Sequence, residues 1–173
     1  LSPSGLRFGR FEVTEGLYAK VMKRTASQTP GLPVANVTIY DAMLFCNALS
    51  KSAGLDTFYT HSGRVAANGY LKDFAVRPDT IDPTAGTKVI RKGFRLPTAV
   101  EWDLAANAWS SIHPWGSSED PQVVAQYAVW NAIDPAMVGS RHPTGPGLFD
   151  LAGNAREWVY RNRGMLDDLT SWQ

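Results

Sequence analysis

The stretch G-L-F-D-L-A-G-N-A-R-E-W, residues 147–158, is the one around which the rest of this sequence is organised. Two glycines, two carboxylates and an Asn-Ala step stand among Leu148, Phe149, Leu151 and Trp158. Neither the period of a helix nor that of a strand runs through it. Short apolar residues interleaved with oxygen donors describe a tight loop feeding a buried strand, with carboxylates and carbonyls aimed at one point.

Outward from that loop, the flanking chain reads as short elements joined by long connections. Residues 94–98 (F-R-L-P-T) end a strand, and Thr98 with Glu101 makes a T-x-x-E capping box for a helix carrying Trp102, Ala105, Ala106 and Trp109. Residues 113–116 (H-P-W-G) form a turn, residues 117–126 a polar loop, residues 127–132 a short apolar strand or bridge, and residues 135–146 another loop. Further upstream, Thr38 and Asp41 make a second capping box. The helix it opens places Ala42, Phe45, Cys46, Leu49 and Ala53 on one face and ends at Gly54. Residues 6–13 alternate like a half-buried strand, and Thr14 caps a helix with Leu17, Tyr18, Val21 and Met22. Residues 55–70 read as a hairpin that turns at 61–63 and resumes at Val65, and residues 71–92 as an irregular excursion. No further strong strand is expected after Val159. The sum is an α+β chain rich in loop, a single domain over residues 1–173.

Composition narrows the class. At 173 residues, with 44% apolar and 19% charged residues, the chain can bury a core and is not a disordered tract. A net charge of +1, with basic residues scattered, argues against nucleic acid as the partner. No apolar run is long enough to span a bilayer. The start at Leu1 reads as a portion of something longer. Cys46 is the lone cysteine, so neither an internal disulfide nor a C-x-x-C zinc site exists, and its place on a helix face reads as core. His61, His113 and His142 stand in separate turn-like settings without metal-ligand spacing. There is no G-x-S-x-G elbow and no phosphate-binding glycine loop. The acidic pairs Glu119-Asp120 and Asp167-Asp168 read as solvated loop charges.

Five collinear segments together resemble one family. They are F-E-V-T-E-G-L-Y, V-T-I-Y-D-A-M-L-F-C-N-A-L-S, G-F-R-L-P-T-A-V-E-W-D-L-A-A, P-W-G and G-L-F-D-L-A-G-N-A-R-E-W-V. Their order and spacing are similar to those of the formylglycine-generating-enzyme (sulfatase-modifying factor) family from about residue 9 to 159. The resemblance implies a variant of the C-type-lectin fold, with two helices, short twisted antiparallel strands and abundant loop. It also implies that strands completing the sheet lie beyond both ends of this chain or come from another chain or domain.

The family's functions are mixed, and a fold does not choose among them. Some members oxidise a sulfatase cysteine with copper held by two thiolates, soft ligands for a soft metal. Nothing after Cys46 can supply such a pair here, so copper enters only through residues outside this chain. Others resemble iron-dependent sulfoxide synthases, whose histidine triad this chain lacks. Many are ligand-binding modules, including variable proteins diversified by retroelements. The expectation is a non-catalytic protein- or small-molecule-binding module. The alternatives are a copper oxidase or sulfoxide synthase with its catalytic strands elsewhere, or a sensor or assembly domain of a larger surface or signalling protein.

The resemblance also implies a calcium site at Asp150, Gly153, Ala155 and Glu157, with Asn131 as a weaker candidate for a second. The chemistry suits calcium, which gathers roughly six to eight hard oxygens from carboxylates, carbonyls and water. Against it stands a plainer reading, in which Asp150 caps a turn and Glu157 pairs with an arginine such as Arg156 or Arg95. Arg156 stands where the family often has Trp.

Overall fold

In the computed structural model, the described residues are 6–61, 75–76, 80–81, 88–89, 92–106, 120–143, 147–160 and 166–168. They fall into two compact units, one of Leu1–Asn36 with Pro97–Gln173 and one of Val37–Leu96. Among the described residues there are four helices and three two-stranded antiparallel pairs.

In the first unit, α1 (Glu15–Met22) starts because the Thr14 hydroxyl accepts the Leu17 amide at 3.1 Å, and Lys23 stops it by turning left-handed. Residues 6–13 are not the strand their alternation predicts. Their neighbours take single hydrogen bonds from them instead of a ladder: Phe149 N–H donates to the Arg10 carbonyl and Val34 N–H to the Val13 carbonyl. α3 (Ala99–Ala106) carries the expected box, with Thr98 N–H donating to Glu101 at 2.8 Å and Glu101 N–H to the Thr98 hydroxyl at 3.2 Å.

The polar run before Tyr127 holds a helix, α4 (Pro121–Tyr127), not a loop. Asp120 caps it and Pro121 supplies a first-turn φ that needs no amide donor, a local signal that outweighs the polar composition. The loop of residues 147–157 feeds β5 (Trp158–Tyr160), where Val159 is completely buried. β5 pairs with β6 (Leu166–Asp168) in register Trp158↔Asp168, so a strand stands where none was expected and Asp167 and Asp168 belong to it. Isolated bridges add Thr98 to Tyr160 and Val129 to Gly153.

In the second unit, α2 (Ile39–Ser52) shows both arms of its capping box and buries Met43, Phe45, Cys46, Asn47 and Ser50. Such a box is worth about 1 kcal/mol. The inward polar side chains tie the helix to the chain beside it. Asn47 accepts the Phe58 and Tyr59 amides, both at 3.1 Å, and donates to the Tyr59 carbonyl at 2.9 Å. Ser50 donates to the Cys46 carbonyl and accepts the Phe94 amide at 2.8 Å.

The strand return differs from expectation. β1 (Tyr59–Thr60) pairs with β2 (Ala75–Val76), well after Val65, which lies outside the described residues. The supposed irregular excursion contains β3 (Thr80–Ile81) paired with β4 (Lys88–Val89). Two-residue strands leave too short an alternation to be read from sequence. Trp109, His113 and the 113–116 turn lie outside the described residues.

Candidate functional site

The loop of residues 147–157 is built from left-handed turns. Asp150 has φ 60°, Gly153 85° and Asn154 63°, conformations that Asp and Asn tolerate and Gly adopts freely. At 153 only glycine fits. A Cβ there would run into the Val129 carbonyl, which accepts the Asn154 amide at 2.9 Å.

Asn154 is the knot of the site. Its side-chain oxygen accepts the Ala136 amide at 2.9 Å, and its amide nitrogen donates to the Ala136 carbonyl at 3.2 Å and to Glu12 at 2.7 Å. The other Glu12 oxygen accepts the Ala155 amide at 2.9 Å. Asp150 is 4% exposed; one of its oxygens accepts the Gly139 amide at 2.6 Å, while the other is buried without a hydrogen-bond partner. Glu157 is half-buried as a residue, but its carboxyl end is the deep part and accepts the Trp102 indole N–H.

Burial pushes all three carboxyl groups up. Glu12 rises from 4.5 to about 7, since desolvation outweighs the bonds from Ala155 and Asn154, and the charges of Glu157 and Asp150 add to it. Asp150 rises through burial, opposed by the Gly139 bond. Glu157 rises through burial and the nearby Asp150 charge, opposed by the Trp102 bond. The common cause is burial, to which charge repulsion adds at Glu12 and Glu157.

Of the sequence-predicted ligands, Glu157 lies near enough to Asp150 for that charge to help raise it. Among the described residues, the Gly153 and Ala155 carbonyls accept no hydrogen bond, which leaves them free as donors to an ion. Asn131 also turns left-handed, at φ 52°, but is exposed, and no described contact joins it to the carboxylates. Among the described residues no three His, Cys, Asp or Glu side chains converge as a ligand set. An ion at this loop would thus be held by two carboxylates and backbone carbonyls, with Glu12 behind the loop as its brace. The plainer reading is half realised: Asp150 does cap the Gly139 turn, whereas the partner of Glu157 is Trp102 and not an arginine.

Sequence reasoning missed Glu12 and Asn154. The signal for Glu12 was a carboxylate flanked by Phe11 and Val13 with no local partner. Cys46 is buried on α2 as expected, its thiol pushed up to about 12 by burial. His142 packs its ring against Tyr127 at 5.5 Å and sits at the edge of an open polar groove lined by Gln122, Gln126 and Arg141. Among the described residues, no helix is long and apolar enough to cross a membrane.

Comparison with known proteins adds the following. A family model, the sulfatase-modifying factor enzyme 1-like domain, matches residues 4–165. A Paenibacillus barcinonensis protein named chaperone protein LppX is 31% identical over 91% of this chain, which spans 62% of that relative's length. A formylglycine-generating enzyme of Thermomonospora curvata is 32% identical over 38% of this chain and 26% of its own. Among solved structures, Treponema denticola variable protein 1 superposes with a TM-score of 0.65 at 29% identity, covering 94% of this chain and 63% of that one. A structure titled CarF gives 0.59 at 24% identity, covering 90% of this chain and 68% of that one, a likeness of fold. The mixed α+β, C-type-lectin-like architecture is thus shared, with four helices among the described residues where two were expected.

Proposed function

This chain belongs to the sulfatase-modifying factor enzyme 1-like domain family, and from that premise we propose that it is a non-catalytic, protein-binding module of the chaperone kind. Within these 173 residues, the observation that carries this reading is Cys46. It is the chain's one cysteine, and it sits in the core of α2 with its thiol pushed up to about 12. A buried neutral thiol is neither a copper ligand nor a redox partner. The similarity to a chaperone-named relative over 91% of the chain, against 38% for one named formylglycine-generating enzyme, supports the same direction.

Within this reading the loop of residues 147–157 is structural. Asp150, Gly153, Ala155 and Glu157 would hold a calcium ion, which supplies positive charge to carboxylates that otherwise repel. The orphaned Asp150 oxygen and the unused Gly153 and Ala155 carbonyls support that set. Asn131 would at most contribute to a separate, exposed site. A narrower reading, a retroelement-diversified variable protein, draws support from the Treponema likeness. It would be tested by looking for a reverse transcriptase and template repeat beside the gene.

The direct test is light scattering of a thermally unfolding client protein with and without the chain. Suppression at near-stoichiometric ratio is expected. Failure to suppress would overturn the reading, as would copper-dependent conversion of cysteine to formylglycine in a sulfatase-motif peptide, read by mass spectrometry.

A further inference from the structure

The network that braces the candidate metal loop also fixes a second feature, the segment of residues 130–139. Asn154 clamps Ala136 by both its amide and its carbonyl, Asp150 holds the Gly139 amide, and the Val138 amide donates to the Gly31 carbonyl at 3.1 Å. The segment is held at its two ends, at the Val129 carbonyl and at Ala136–Gly139, and it carries large apolar side chains facing water. Trp130 is 54% exposed, Met137 64% and Ile133 fully exposed. Phe11, itself 42% exposed, packs against Gly139, its ring edge 2.6 Å from where a Cβ would be. Phe11 also stacks on Phe149 with ring centroids 4.9 Å apart. Over these two rings stands the Arg10 guanidinium, 5.4 Å and 5.1 Å from their centroids.

Desolvating apolar groups is favourable only when something covers them, and nothing within the described chain does so here. Aromatics, Met and Arg held on fixed backbone are the residues that dominate binding surfaces, because little conformational freedom remains to be lost. A guanidinium laid over aromatic rings presents its donors in a fixed plane that matches a carboxylate. Exposed Arg141, two residues beyond Gly139, adds a second cation, against one exposed carboxylate, Asp134, in residues 130–141.

We propose that Trp130, Ile133, Met137 and Phe11, with Arg10 over the Phe11 ring, form the docking surface for an extended segment of another protein that carries apolar side chains beside Asp or Glu. This assignment rests on the protein-binding reading and names its surface and partner chemistry. The apolar anchors supply affinity. Arg10 selects segments with carboxylates over those with amines. The Asn154–Glu12–Asp150 network serves as the frame.

The test uses fluorescence anisotropy with a fluorescein-labelled synthetic peptide in which Asp alternates with Leu and Phe, and a counterpart with Lys in place of Asp. The full chain should bind the acidic peptide and discriminate against the basic one. Ile133→Asp, a change at a fully exposed position, should weaken binding by about tenfold or more, the value of burying a large aliphatic side chain. Arg10→Glu should reverse the preference between the two peptides. Val100→Asp, at a 69% exposed position on α3, serves as the control and should leave binding unchanged. Equal loss from Val100→Asp and Ile133→Asp would overturn the proposal in favour of unspecific apolar adsorption. Tight binding of both peptides, or of neither, would overturn the partner chemistry. Client suppression that survives Ile133→Asp unchanged would sink this surface while leaving the chaperone reading standing; absence of suppression in the unaltered chain would sink both.

Discussion

Replacing Gly153 with Ala should be among the most damaging single-methyl changes in the chain. Two costs combine. Gly153 sits at φ 85°, where an L side chain loses about 1–2 kcal/mol. The new Cβ would also fall 2.9 Å from the Val129 carbonyl carbon and closer still to its oxygen, both backbone atoms that cannot rotate away. Val129 must therefore retreat, and the 2.9 Å bond from the Asn154 amide is lost at about 1 kcal/mol. The sum is roughly 2–3 kcal/mol, which for a chain of this size lowers Tm by about 4–12 °C. Thermal melts followed by circular dichroism read this directly. Gly147→Ala separates the two costs: Gly147 also has positive φ, at 82°, but a Cβ there meets nothing within 4 Å. That variant should lose only about 1–2 kcal/mol. A Gly153→Ala chain melting within about 2 °C of the unaltered one would refute the close approach of the 153 backbone to Val129. Equal losses at 147 and 153 would show that only the turn conformation matters.

Three further outcomes follow from the same structure. Asn47→Ala strands two buried amides and a carbonyl at Phe58 and Tyr59, and chemical denaturation should show a loss of about 3 kcal/mol. Cys46, buried with its thiol near 12, should resist a thiol reagent in the native chain at pH 8 and react fully once urea unfolds it; rapid native labelling would contradict its placement. Glu12 titrates near 7 when folded against an ordinary 4.5, so the folded chain binds this proton more tightly than the unfolded one. In chelator, its contribution is fully present below pH about 4.5 and disappears as pH rises through about 7, a change on the order of 2 kcal/mol. Asp150 and Glu157 act in the same direction, and Glu12→Gln should flatten the slope in urea melts across that window.

What could be read in the sequence followed from how local each signal was. The capping boxes at Thr38 and Thr98 involve partners three residues apart, so they were legible, and so were the helices they open. The loop of residues 147–157 showed its donors plainly because they are close in sequence. Glu12 was not legible as part of the site, since its partners lie 142 and 143 residues away. Residues 6–13 misled because their alternation is satisfied by single bonds and by the Phe11–Phe149 stack instead of a strand ladder. α4 was hidden by the polar run of residues 117–120 ahead of it, although Asp120-Pro121 announced its start. β6 escaped because Leu166–Asp168 offers three residues, two of them acidic, whose strand state is set by pairing with β5.

Whether the carboxylates around residues 147–157 serve a cation is open to direct measurement. Thermal melts of the full chain in chelator and in calcium measure this most directly. At calcium about a hundredfold above its dissociation constant, binding to the folded state adds about 2.7 kcal/mol. That corresponds to a rise in Tm of roughly 5–10 °C. Glu157→Gln should abolish the rise, and magnesium, which demands tighter octahedral geometry, should give less of it. Superimposable melts in chelator and in calcium would contradict the account, leaving Asp150 as a turn cap and Glu157 as the partner of Trp102.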